Sequence, residues 1–129
     1  MINDEPPHEG YLPALRRLCD QHGAFLIFDE VITGFGRLCE WFAAERFDVV
    51  PDLTTFAKAV TSGYQPLGGV LVNGTVRAAL EADPDFKLTH GYTYSGHAAA
   101  CAAALENIAI IDREGLRARA LEIGTRLGD

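Results

Sequence analysis

An unbroken apolar run, Ala24 to Phe28, ends on two adjacent acids, Asp29 and Glu30, and no other feature of the chain narrows its fold as much. The run is too short for a typical helix, and Gly23 bounds it on the other side. It reads as a strand buried on both faces, the pattern of parallel sheets. Parallel strands need a long crossover. The next strand-like segment, Leu53 to Ala57, follows a Gly-spaced loop and a helical stretch around Trp41 to Arg46, long enough to supply one.

The rest of the chain keeps this alternation. Residues 1–9 read as an entry loop. A helix from Gly10 to Gln21 carries Tyr11, Leu15 and Leu18 at helical spacing, and Gly23 stops it. The loop "VTSGYQP" leads to a third strand, "LGGVLV". Asn73-Gly74 opens a helix near Val76 to Ala82, which Asp83-Pro84 ends. The loop "THGYTYSGH" precedes a long helix from about Ala98 to Ile111, Ala-rich at its start and so suited to close packing. A last amphipathic helix spans about Gly115 to Leu127. Alternating strands and helices imply an α/β sheet with helices on its faces.

With 129 residues, the chain suits one domain or a piece of a larger one. Its net charge is −7 and its basic residues are scattered, which argues against nucleic-acid partners. No apolar run approaches membrane-spanning length. Cys19, Cys39 and Cys101 lie far apart, without a paired spacing, and fit a reduced, cytoplasmic setting. His90 and His97 lack further ligands at suitable spacing, so no metal site is expected.

Open α/β sheets bind ligands beyond the carboxyl ends of their strands. Asp29 sits at one such end and Lys58 at the next, so neighbouring strands would point both into one crevice. Three chemistries compete. An apolar run followed by Asp-Glu describes the magnesium acid of nucleotide hydrolases, but the phosphate loop ending in Gly-Lys-Ser/Thr is absent. Asp29 could cap a loop while Lys58 stays a surface charge or forms an ion pair. Alternatively, a lysine amine could carry an aldehyde cofactor whose ring nitrogen a carboxylate holds protonated. Spacing alone leaves the last two open.

Three strings occur in order: "LIFDEVITGFGR", "PDLTTFAKAVTSGYQPLGG" and "HGYTYSGH". Together they resemble class III aminotransferases, fold type I enzymes that use pyridoxal 5′-phosphate. The resemblance begins near Gly10 and covers almost everything after it. It implies the large-domain fold of such a transferase, a mostly parallel sheet with flanking helices. Lys58 then matches the catalytic lysine that bonds the cofactor and moves a proton at the substrate. Asp29 matches the ring-nitrogen partner, and Val31 the aliphatic residue packed on one ring face. Thr93 matches the threonine that reaches the phosphate of the cofactor in the other subunit, which implies a homodimer.

The implied reaction moves an amino group from a small-molecule amino acid or amine donor to a 2-oxo acid or aldehyde acceptor. The third string favours donors that are omega-amino acids or simple amines. An aminomutase of the glutamate-semialdehyde type shares the Lys and Asp chemistry, and a non-catalytic fragment or interaction module is the alternative outside enzymes. Ile32 stands where many relatives have Gln, and Ala98 where many have Pro. Residues 1–129 are expected to form a single partial cofactor-binding domain. The resemblance implies that an N-terminal part with its phosphate loop and a C-terminal small domain lie outside these residues, so the fragment alone is expected to be inactive. Glu30 and Trp41 read as structural, Arg37 as a loop-fixing ion pair, and Gly34, Gly36, Gly63, Gly68 and Gly69 as backbone accommodations.

Overall fold

A computed structural model describes residues 7–128; most of the expected entry loop, residues 1–6, lies outside them. Helix α1 spans Tyr11–His22. Pro13 falls in its first turn, where a missing N–H costs little. Gly23 ends it in the left-handed conformation, φ 62°. The expected stripe is rotated. Leu12, Leu15, Arg16 and Cys19 are half-buried, whereas Tyr11 and Leu18 face solvent.

Strand β1 is Ile27–Asp29, shorter than the apolar run. Helix α2 (Ala43–Arg46) lies in the crossover to β2 (Leu53–Phe56). A 3-10 turn, Lys58–Val60, follows, then β3 (Gly69–Val72) and helices α3 (Gly74–Glu81), α4 (Ala98–Arg113) and α5 (Leu116–Gly128). Asn73 caps α3, its side chain accepting from Val76 N at 2.9 Å. His97 caps α4 through Nδ1, 3.3 Å from Ala100 N.

The sheet order is β1-β2-β3. β1 and β2 are parallel, with Ile27 opposite Leu53 and Asp29 opposite Thr55. β3 runs antiparallel to β2, so the described sheet is mixed rather than mostly parallel. The link from β2 to β3 holds only a 3-10 turn, and without a crossover helix the chain returns antiparallel. Gly69 faces Phe56 across this pair, and a Cβ there would sit 2.6 Å from the Phe56 ring. That ring stacks edge-on with Phe35, which meets Phe42 in the same way, at 5.5 and 5.3 Å between centroids.

The expectation that β1 is buried on both faces is corrected. Leu26 is buried, but Phe25 and Ile27 are 67% and 58% exposed. Leu26, Phe28 and Glu30 share a hollow with Leu12, Leu15 and Ala43, so α1 and α2 cover one face only. Among the described residues nothing covers the other face, and β1 and β3 each keep a free edge.

At the amino ends of β1 and β2, Asp52 ties the layers together. Its carboxylate accepts from Leu26 N (2.7 Å), Arg16 Nη1 (2.7 Å) and Asn73 Nδ2 (3.0 Å). Its own N–H donates to Leu26 O at 2.8 Å. The Leu26 N–H first, and then the Arg16 guanidinium, hold the Asp52 carboxyl below the usual aspartate range. Among the described residues, no helix is long and apolar enough to cross a membrane.

Candidate active site

The parallel pair fixes where Asp29 stands. Thr55, its register partner, donates Oγ1–H to Asp29 Oδ1 at 2.9 Å. Val31 N–H donates to the same oxygen at 3.2 Å. Oδ2 has no hydrogen-bond partner among the described residues. Asp29 is exposed and half-buried Val31 follows it. The carboxylate is therefore oriented through one oxygen and offers the other.

Glu30, the second acid, points the other way and is 1% exposed. It accepts from Ala43 N (2.6 Å), Ala44 N (2.8 Å) and Thr33 Oγ1 (2.8 Å), which caps α2 and satisfies a buried charge. Its backbone N–H donates to Thr55 O at 2.9 Å and carries the ladder one step past Asp29. This matches the structural role expected for it.

Lys58 leaves the end of the neighbouring strand, three positions after Thr55 in the sequence. Its φ is 49°, in the left-handed region that non-glycine residues enter at a cost and that recurs at functional sites. Buried Ala59, Val60 and Thr61 follow and anchor the turn beneath the exposed lysine. Among the described residues no carboxylate lies within ion-pair distance of Lys58. The expected single crevice is not seen. Lys58 lines a hollow of about 620 Å³ with Phe35, Arg37, Ser62, Ile111 and Leu116, and Asp29 is not among its lining residues. Asp29 borders the hollow of about 280 Å³ beneath α1 and α2 that Phe28 and Glu30 share. The face of β1 that carries Asp29 is open, so no wall joins the two.

Thr93 lies exposed in the loop before α4, between Tyr92 and Tyr94 at 77% and 82% exposure. Tyr92 and Ser95 close that loop with paired bonds of 2.9 Å, and none joins Thr93 to Asp29 or Lys58 among the described residues. Arg37 differs from expectation. It fixes the loop by donating to Ile32 O at 3.0 Å, without an ion pair among the described residues. Trp41 packs under the Arg117 guanidinium, 4.6 Å from its ring centroid. Thr55 was missed by sequence reasoning; only its place in the strand, opposite Asp29, marks it, and that register needs the fold.

Residues 4–129 match the family described as aminotransferase class-III. The chain is 47% identical to a diaminobutyrate–2-oxoglutarate transaminase of Halomonas elongata, over 95% of this chain and 26% of that one. It is 50% identical to an omega-aminotransferase of Caulobacter vibrioides, over 88% of this chain and 26% of that one. A solved taurine:2-oxoglutarate aminotransferase from Bifidobacterium kashiwanohense, in complex with PLP and glutamate, aligns with a TM-score of 0.89 at 43% identity. That alignment covers 95% of this chain and 27% of that one. The chain thus spans about a quarter of the length of these relatives. With its strand-end acid and lysine on the fold those enzymes share, this chain belongs to the class III aminotransferases.

Proposed function

We propose that this chain is part of the pyridoxal-phosphate site of an enzyme that moves amino groups from an amino acid or amine to a 2-oxo acid or aldehyde. One observation carries the reading: Asp29 ends one strand of a parallel pair, and Lys58 follows the same end of the other, three residues after Thr55, the register partner of Asp29. The donor set fits the cofactor. Among the described residues, a carboxylate with one open oxygen suits a protonated ring nitrogen, and an amine without an ion pair suits an aldehyde. When bound, pyridoxal phosphate supplies that aldehyde together with an electron-withdrawing ring.

Lys58 Nζ would hold the aldehyde of the cofactor and, when free, would move a proton at the carbon bearing the amino group. Asp29 Oδ2 would keep the ring nitrogen protonated, and the Val31 side chain would pack against the ring. Thr93 Oγ1 binds the phosphate of the cofactor held by a second copy, so the active enzyme is a homodimer. Amines and omega-amino acids are the favoured donors, in keeping with the names of the relatives. Those names also give no support to the aminomutase alternative. Residues 1–129 alone do not turn over substrate, because they span only about a quarter of such enzymes.

Lys87 is the only other lysine and provides an internal control. Incubation with pyridoxal phosphate, borohydride reduction and peptide mapping should place the label on Lys58 well ahead of Lys87. Lys58→Ala should remove that preferred label and, in the active enzyme, lower turnover by about four orders of magnitude. Equal labelling of the two lysines in the unmodified protein would overturn the assignment.

A further inference from the structure

Helix α4 buries a stripe at helical spacing: Ala100 and Ala104 at 2% and 6% exposure, and Ile111 at 7%. Asn107 occupies the same stripe, half-buried, as its polar member. A polar amide in an apolar stripe is costly unless its groups are met, and here both ends are. Nδ2 donates to the carbonyls of Ala59 (2.8 Å) and Val60 (3.1 Å). Oδ1 accepts from Ser62 Oγ at 2.7 Å.

All three partners belong to the turn that Lys58 opens. Its other bonds are local to the segment: Thr61 N to Lys58 O and Ser62 N to Ala59 O, each 3.2 Å, Tyr64 N to Thr61 O at 3.0 Å, and Thr61 Oγ1 to Gln65 O, so Asn107 supplies its side-chain tie to another helix. It also contains two non-glycine residues in left-handed conformation, Lys58 and Ser62, each at φ 49°. Such a backbone persists only where its surroundings over-determine it. We propose that Asn107 is a positioning residue: from α4 it clamps the turn and so holds Lys58 in the strained backbone that presents its amine at the strand end. The proposal rests on the reading of Lys58 as the cofactor-bonding lysine. It explains why an otherwise apolar stripe carries an amide at this position. Leucine would fill the space and satisfy neither carbonyl.

The test compares the unmodified protein with Asn107→Ala and Ser62→Ala in two measurements. The first is amide hydrogen exchange of the segment 58–66. The second is the ratio of Lys58 to Lys87 labelling by pyridoxal phosphate and borohydride. Asn107→Ala is expected to speed exchange in that segment and lower the labelling ratio, each about tenfold, while α1 exchanges as before. Ser62→Ala removes one bond, leaves the α4 stripe intact and should give a smaller shift of both, about threefold. It decides the question if Asn107→Ala loses its fold. Unchanged exchange in the turn overturns the clamp. Faster exchange with an unchanged labelling ratio reduces Asn107 to a structural residue and overturns its positioning role. If the unmodified protein shows no preference for Lys58, the cofactor reading fails, and the exchange measurement still decides whether the clamp exists.

Discussion

The two ends of the parallel pair are built on opposite principles. At the amino ends, Asp52 meets three donors from three different segments and is largely shielded from water. At the carboxyl ends, Asp29 is exposed with one oxygen open, and Lys58 sits in a strained backbone without an ion pair among the described residues. Both ends carry an aspartate beside a strand, so residue type does not separate them. Satisfaction does. A carboxylate whose hydrogen-bond capacity is filled by its own chain holds the fold together, and one left partly open is available to a ligand. The neighbours Asp29 and Glu30 repeat the contrast within two residues, Glu30 being buried with three donors.

Exchanging charge for a neutral amide at the open end should separate function from stability. Asp29→Asn keeps an oxygen to accept from Val31 N and Thr55 Oγ1, so unfolding free energy should change by no more than about 0.5 kcal/mol. In the active enzyme, its loss of negative charge at the ring nitrogen should slow amino transfer by about a hundredfold to a thousandfold. Turnover close to normal would detach Asp29 from the chemistry. The matching change at the filled end should behave in reverse. Asp52→Ala leaves three donors unmet and should destabilise the protein by about 2–3 kcal/mol in urea unfolding. The preference of the cofactor for Lys58 over Lys87 should survive in the folded fraction. A preference lost together with stability would show that the two ends are coupled and the contrast is false.

The open end was easier to read in the sequence than the filled one, for a physical reason. Asp29 and Lys58 are each given by local order: an apolar run, then an acid, and a Thr-rich segment, then a lysine. Their strands do lie side by side. Contacts distant in sequence were invisible. Pro51-Asp52 reads as punctuation, and nothing in that dipeptide announces Arg16 or Asn73. Asn107 sits in an Ala-rich helix that reads as plain packing, and its partners lie far back along the chain. The mixed direction of β3 and the open face of β1 were missed because periodicity reports how a segment alternates, and says nothing of which segment lies beside it. The rotated stripe of α1 has the same origin: Arg16 belongs to the covered face because Asp52 holds it there.

Acid offers the gentlest way to probe the filled end. The bonds from Leu26 N and Arg16 favour the charged form of Asp52, so its carboxyl is depressed in the folded protein. The sign follows. The unfolded chain takes up this proton at higher pH than the folded one, so Asp52 contributes stability fully above the ordinary aspartate range. The contribution fades as pH falls below about 4 and through the depressed folded value. Unfolding midpoints of the unmodified protein and of Asp52→Ala, measured side by side from pH 7 to pH 3, isolate this group from other carboxylates. The gap between them should stay constant down to about pH 5 and narrow below about pH 4, by a fraction of its full size at pH 3. A gap as wide at pH 3 as at pH 7 would mean that Asp52 stabilises by shape and not by charge. The contrast between the two ends would then rest on Asp29 alone.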